Sequence, residues 1–144
     1  MSIQASTPRR VLQLIDAHTQ TVDVDYPKPE RLVTGNPRRG TQQLYLAPDG
    51  QFSCGVWSCE RGAWRIEFSA HKDEYFHVLE GRLQITGADG VAIAFGPGQA
   101  GVIPAGFQGV FEVLEPVRKH YVVRDVPAPT ITQTDVNTAS QNQV

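Results

Sequence analysis

The sequence lacks the features of several specialised classes of protein. Charge is nearly balanced, with 13 Lys and Arg against 15 Asp and Glu and a formal net charge of −2, so no nucleic-acid-binding surface is predicted. No segment approaches the roughly 18 consecutive apolar residues of a membrane span. Gln13, Asp16 and His18 interrupt the apolar residues near the N-terminus. No secretory signal peptide is therefore predicted, and a cytoplasmic location is the default expectation.

Cysteine is also scarce, since Cys54 and Cys59 are the only two in the chain. A zinc ribbon needs a second pair. Residues five positions apart on one extended strand lie roughly 17 Å apart. A disulfide requires Cα atoms within about 7 Å. Two free thiols are the prediction.

A sustained helical period is absent as well, and what replaces it predicts one all-β domain. The 144 residues divide into a mixed N-terminal extension over 1–40, a patterned region over 41–125 and a polar tail over 126–144. In the middle region short apolar runs alternate with Asp-Gly and Pro-Gly turns every eight to twelve residues or so. The predicted strands are 42–46, 52–58, 63–69, 74–80, 82–86, 91–95, 100–103, 109–114 and 118–124.

Two motifs in this region give the prediction a more specific form. Glu74 is followed by "YFHVLEG", and Gly98, Pro104 and Gly106 follow at the spacing G-x5-P-x-G. Over roughly residues 30–124 the chain resembles the cupins, and within them the subgroup named after the (S)-ureidoglycine aminohydrolase domain. The resemblance implies an antiparallel β-barrel, or jelly roll, of two packed sheets.

The same resemblance implies a metal site whose histidines are missing here. Cupins place histidines at positions that correspond to 67 and 69, or to 68 and 70, and at 109; none of these residues is histidine. No metal or cofactor is therefore predicted. A metal site formed by Glu67, His71 and Glu74 is a conceivable alternative. In the opposing interpretation, His71 belongs to a solvated hairpin turn and binds nothing.

Glu74 is the residue that the sequence singles out for chemistry. Side chains alternate across a strand, so if Glu74 points into the barrel, Phe76 and Val78 do so too. On the strand predicted over 109–114, Gly109, Phe111 and Val113 share the inward face. A carboxylate in apolar surroundings is costly when charged unless it has a partner or a use. It would be an acid or base, a ligand anchor, or the partner of a cation at the rim: Arg65, Arg82 or Lys119.

The candidate residues fall into two groups. Those with titratable side chains, proposed for catalysis, are Glu74, Glu67 and His71. Those proposed to line a ligand pocket are Trp57, Trp64, Phe76, Gln108 and Phe111, although the two tryptophans would also serve as core or dimer-interface packing.

Three functions stay open at this stage. The first is a single-domain cupin that binds a small polar metabolite, with Glu74 as anchor or as acid or base. The second is a non-catalytic structural or regulatory homodimer module. The third is a metal-dependent enzyme of the aminohydrolase or isomerase kind. A homodimer is expected in any case, because a single barrel leaves sheet edges and outer faces to cover.

Overall fold

The computed structural model describes residues 10–19 and 21–127. Most of the predicted tail, 126–144, therefore lies outside the described residues. Within them, two short 3-10 helices, Ala17–Thr19 and Pro29–Arg31, accompany nine strands. No helix in this part of the chain has the length and hydropathy that a membrane crossing requires. The strands are β1 (Asp23–Asp25), β2 (Leu32–Thr34), β3 (Arg39–Leu46), β4 (Phe52–Cys59), β5 (Gly62–Glu67), β6 (Lys72–Gly87), β7 (Ala92–Phe95), β8 (Ala100–Ile103) and β9 (Gln108–Asp125).

The strands form two antiparallel sheets that share β6 and β9, which confirms the predicted all-β jelly roll. One sheet has the order β1-β3-β4-β9-β6-β8, using the C-terminal half of β9 and the N-terminal half of β6. The other has the order β2-β5-β9-β6-β7 and uses the remaining halves. We call them the first and the second sheet. The predicted N-terminal extension contributes β1 and β2 as edge strands and also the start of β3.

Two predicted strand breaks turn out to be bends. Residues 74–80 and 82–86 belong to one strand, β6, and residues 109–114 and 118–124 belong to β9. The register between β6 and β9 shifts from Val78 to Leu83, so the ladder is irregular there without ending. Gly81 has a φ of 79°, and a Cβ placed on it would lie 2.0 Å from the Pro116 carbonyl oxygen. A glycine and a proline at facing positions thus bend the two strands together.

The core fills the space between the two sheets. Alternation along β6 buries Phe76 and Val78 and leaves Tyr75 exposed. Along β9 it buries Phe111, Val113, Val117, Lys119 and Tyr121 on one face. Lys119 is the exception to the apolar pattern, since it is a charged residue with only 4 % of its surface exposed.

Both cysteines are free thiols, and neither is suited to nucleophilic chemistry. Cys59 is buried in the core and donates a hydrogen bond from Sγ to the Glu60 carbonyl oxygen over 3.2 Å. Burial raises the pKa of Cys59 to about 12, against an opposing effect of the Arg39 charge. Burial also raises the pKa of Cys54. Because the thiolate is the reactive form, both thiols are poorly reactive at neutral pH.

Candidate functional site

A cavity of about 290 Å³ lies between the two sheets, and Glu74 lines it. The first sheet contributes Trp57, Glu74, Lys119 and Tyr121, and the second contributes Trp64 and Phe111. The remaining lining residues are Asp25, Arg39, Thr41, Ile66, Phe68, Lys72, Ile103 and Val123.

The centre of the site is an ion pair between Lys119 and Glu74. Lys119 Nζ donates a hydrogen bond to Glu74 Oε2 over 2.6 Å, and the two side chains are 5 % and 13 % exposed. Of the three rim partners considered for Glu74 from the sequence, Lys119 is the one that the structure brings to it. Among the described residues, Glu74 Oε1 has no hydrogen-bond partner, so it is free to accept one from a ligand.

Three aromatic rings surround the ammonium group of Lys119. Nζ lies 4.7 Å from the ring centre of Trp57, 4.8 Å from that of Phe76 and 5.2 Å from that of Phe111. Trp64 stacks on Phe111 with ring centres 5.0 Å apart. The negative faces of these rings attract a cation. Lys119 is therefore held in place by one carboxylate and an aromatic cage.

Tyr121 adds a hydroxyl group to the same wall. Burial raises the pKa of Tyr121, and the nearby Cys54 and Glu74 raise it further. The phenol consequently stays protonated at neutral pH, and it can donate a hydrogen bond. Tyr121 and Glu74 both line the cavity and lie on adjacent strands.

The rim of the cavity carries further charges. Arg39 donates hydrogen bonds from Nε and Nη2 to the two carboxylate oxygens of Asp25, over 2.9 and 2.7 Å, and its guanidinium lies 5.3 Å from the ring centre of Trp64. Lys72 Nζ lies 4.5 Å above the ring of Phe68. Within residues 10–19 and 21–127, no carboxylate is within ion-pair distance of Lys72. It is therefore available to an anionic group.

The structure separates the other predicted residues from this cavity. Phe76 is fully buried and lines a second cavity of about 150 Å³ instead of this one. Glu67 and Gln108 line a different surface depression, where Gln108 Nε2 donates to Glu67 Oε1 over 3.4 Å. His71 is half-buried in the turn before β6 and does not line the cavity. Glu74, Trp57, Trp64 and Phe111 are thus brought together, and Glu67, His71 and Gln108 are not.

Sequence reasoning missed the central position of Lys119 and the presence of Tyr121. Strand parity was the available signal, because a period of two along "VRKHYVVR" places Val117, Lys119, Tyr121 and Val123 on one face. The sequence alone does not say which face points inward, because the opposite face carries Val122 beside Arg118, His120 and Arg124. No sequence pattern indicated that Arg39 and Asp25 belong to the site. They meet because β1 pairs with β3, and this pairing cannot be read from the sequence.

The residues at the cavity do not fit the transition metal of other cupins. No group of three or more His, Cys, Asp or Glu side chains that could hold an ion occurs in the described part of the chain. The Lys119 ammonium already occupies one oxygen of Glu74. At Gly109, the position of a cupin histidine, a Cβ would lie 2.1 Å from the Thr86 carbonyl oxygen. A histidine would not fit there without a shift of the backbone.

The comparisons with known proteins give the family. The model of the EutQ-like cupin domain matches residues 46–121. The chain belongs to the EutQ-like cupin domain family. No curated protein matches it significantly. The family assignment confirms the cupin resemblance, whereas the ureidoglycine aminohydrolase subgroup is not distinguished by it.

Three solved structures have the same fold as this EutQ-like cupin. The EutQ protein of Clostridium difficile is 26 % identical with a TM-score of 0.55, over 71 % of this chain and 81 % of that one. A protein of unknown function from Pseudomonas syringae is 20 % identical with a TM-score of 0.69, over 83 % of this chain and 51 % of that one. The polyketide cyclase RemF of Streptomyces resistomycificus is 20 % identical with a TM-score of 0.59, over 90 % of this chain and 94 % of that one.

Proposed function

We propose that this cupin binds a small polar metabolite in the cavity between its sheets, with Glu74 as the anchor. The observation that carries the proposal is the pair of Glu74 and Lys119, in which a partly buried carboxylate has one oxygen without a partner at the wall of a cavity. Convergent polar groups in an otherwise apolar pocket are typical of ligand sites.

The lining of the cavity defines the chemistry of the ligand. A volume of about 290 Å³ is at the lower end for ligand pockets, which suits a small metabolite. Trp57, Trp64 and Phe111 favour an apolar or planar body. A hydrogen-bond donor on the ligand would meet Glu74 Oε1, and an anionic group would meet Lys72 at the rim.

The names of the structural neighbours do not select one activity. An EutQ protein and a polyketide cyclase share this fold, and a fold hosts many functions. A metal-dependent aminohydrolase reaction has the least support, because the two carboxylates that line the cavity are already paired with cations, Glu74 with Lys119 and Asp25 with Arg39.

Replacing Glu74 with glutamine tests the anchor. Glu74→Gln preserves the shape of the side chain but not its charge, so ligand affinity should fall at least about tenfold, which is 1.4 kcal/mol. The measurement is a screen of small metabolites by ligand-observed NMR, followed by titration of each hit against wild type and variant. Glu67→Gln is the matched control, because Glu67 lies outside the cavity, and its affinity should be unchanged. Equal affinities of all three proteins would contradict the proposal.

A second candidate function, a homodimer module, is supported by the exposed apolar residues near the N-terminus. Leu12 and Leu14 are 99 % and 93 % exposed, and Val11 and Ile15 are exposed beside them. Such a segment is costly in water and suited to a second copy of the chain.

Light scattering tests the dimer directly. At tens of micromolar the mass should be twice that of one chain, and Leu12→Ser/Leu14→Ser should shift it toward the monomer while the cavity continues to bind. A monomeric mass for the wild-type protein would reject the dimer.

A further inference from the structure

The nitrogen of Lys119 is placed in the way that covalent chemistry with carbonyl compounds requires. It lines the cavity, lies 2.6 Å from a carboxylate oxygen and is otherwise surrounded by aromatic rings. Lysines that attack carbonyl groups are found in apolar, desolvated sites, with a neighbouring group that removes a proton. Stability alone does not explain this salt bridge, because an apolar pair of the same size is often at least as stable. Its position at the wall of a cavity points to a role toward a ligand.

We propose that Lys119 forms an imine with a small aldehyde or ketone that enters this cavity. The inference rests on the proposed function, because it requires that the cavity admit a small molecule. It goes further by naming the class of ligand and the atom that reacts with it.

The proton balance of the step uses the groups already present. Lys119 Nζ transfers a proton to Glu74 Oε2, and the neutral amine attacks the carbonyl carbon. The former carbonyl oxygen takes a proton from the attacking nitrogen, which gives a neutral carbinolamine. Glu74 then returns its proton to the leaving hydroxyl, and water departs. The product is a protonated imine beside a carboxylate, formed from an ammonium beside a carboxylate, with no oxidant or reductant consumed.

The electrostatics of the site suit that product. The protonated imine carries the same single positive charge as the ammonium, so the ion pair with Glu74 and the attraction to Trp57, Phe76 and Phe111 are kept. Burial of a new charge, which would be costly, is avoided. The carbonyl substituents would extend toward the open part of the cavity, where Lys72 can receive a carboxylate.

The small number of lysines allows the reactivity of Lys119 to be compared with that of an exposed lysine in the same molecule. Lysine occurs at three positions only, Lys28, Lys72 and Lys119. Lys28 is exposed on the surface, Lys72 stands at the rim of the cavity, and Lys119 is inside. Lys28 therefore reports the background reactivity of an ordinary lysine within the same molecule.

The experiment is reductive trapping. The folded protein is incubated with glyoxylate, or in parallel with butanal, and sodium cyanoborohydride, and the modified lysines are located by peptide mass mapping over time. Adducts at Lys119 should form at least about tenfold faster than at Lys28, because an enclosed site orients the reactants. A faster reaction of glyoxylate than of butanal at Lys119 would support an anion contact with Lys72.

The controls separate the imine from simple binding. Glu74→Gln should slow trapping at Lys119 and leave Lys28 unchanged, because the proton acceptor is lost. In urea, the difference between Lys119 and Lys28 should disappear. If Lys119 reacts no faster than Lys28 in a folded protein that binds a metabolite, the imine is rejected and the proposed function stands. If Lys119 is trapped but Glu74→Gln changes no affinity, the anchor role is rejected instead.

Discussion

Replacing Glu74 with leucine should lower the free energy of unfolding by about 3–5 kcal/mol, because the change leaves the Lys119 ammonium buried without its carboxylate. The Lys119 side chain is 5 % exposed, so bulk water solvates its ammonium group poorly once the carboxylate is lost. The aromatic cage compensates only in part, since cation–π contacts contribute about 0.5–2 kcal/mol. Urea denaturation followed by tryptophan fluorescence measures the difference.

The double variant identifies the cause. Glu74→Leu/Lys119→Met removes both charges at similar volume, and its stability should return to within about 1–2 kcal/mol of wild type. Glu67→Leu is the matched surface change and should stay within about 0.5 kcal/mol. A double variant as unstable as Glu74→Leu alone would show that packing, not the orphaned charge, is responsible.

Replacing Gly81 with alanine should have an effect of similar size, by a different mechanism. The φ of 79° is unfavourable for any residue with a Cβ, at about 1–3 kcal/mol. The added methyl group would also lie 2.0 Å from the Pro116 carbonyl oxygen, and such overpacking costs about 1–3 kcal/mol more. The stability of Gly81→Ala should therefore fall by the sum of the two terms, measured by urea denaturation.

Gly98→Ala separates the two terms. Gly98 has a φ of 84°, but a Cβ there would meet nothing within 4 Å. Gly98→Ala introduces the same backbone strain but no close contact. Its free energy of unfolding should therefore fall by about 1–3 kcal/mol less than that of Gly81→Ala. Equal losses in the two variants would show that Gly81 and Pro116 do not pack as closely as the structure has them.

The sequence was sufficient for the class of fold, because turns and alternating side chains are local features. It was not sufficient for the continuity of β6 and β9. Gly81 and Pro116 have the composition of turns, yet each lies within a strand whose pairing continues on both sides. Whether a glycine ends a strand or bends it depends on what faces it, and Pro116 is 35 positions away.

The candidate site, like the fold, was predictable only in its local features. The motif placed Glu74 on an inward-facing strand, and the period of two gave it Phe76 as a neighbour. The ion pair depends instead on the register of β9 against β6, which sets Val78 beside Lys119 and lets the long side chain reach Glu74. Glu67 and Gln108 are close in space to each other but lie on the wrong face, a distinction that spacing along the chain does not make.

The sharing of β6 and β9 between the two sheets has a consequence for cooperativity. Neither sheet can unfold alone, since each depends on half of the same two strands, so the domain should lack a partly open state that retains one sheet. Glu74 and Lys119 lie on these shared strands. A ligand bound to them should therefore slow the exchange of those amides in both sheets that exchange by global unfolding, including amides far from the cavity, because global unfolding also dismantles the site.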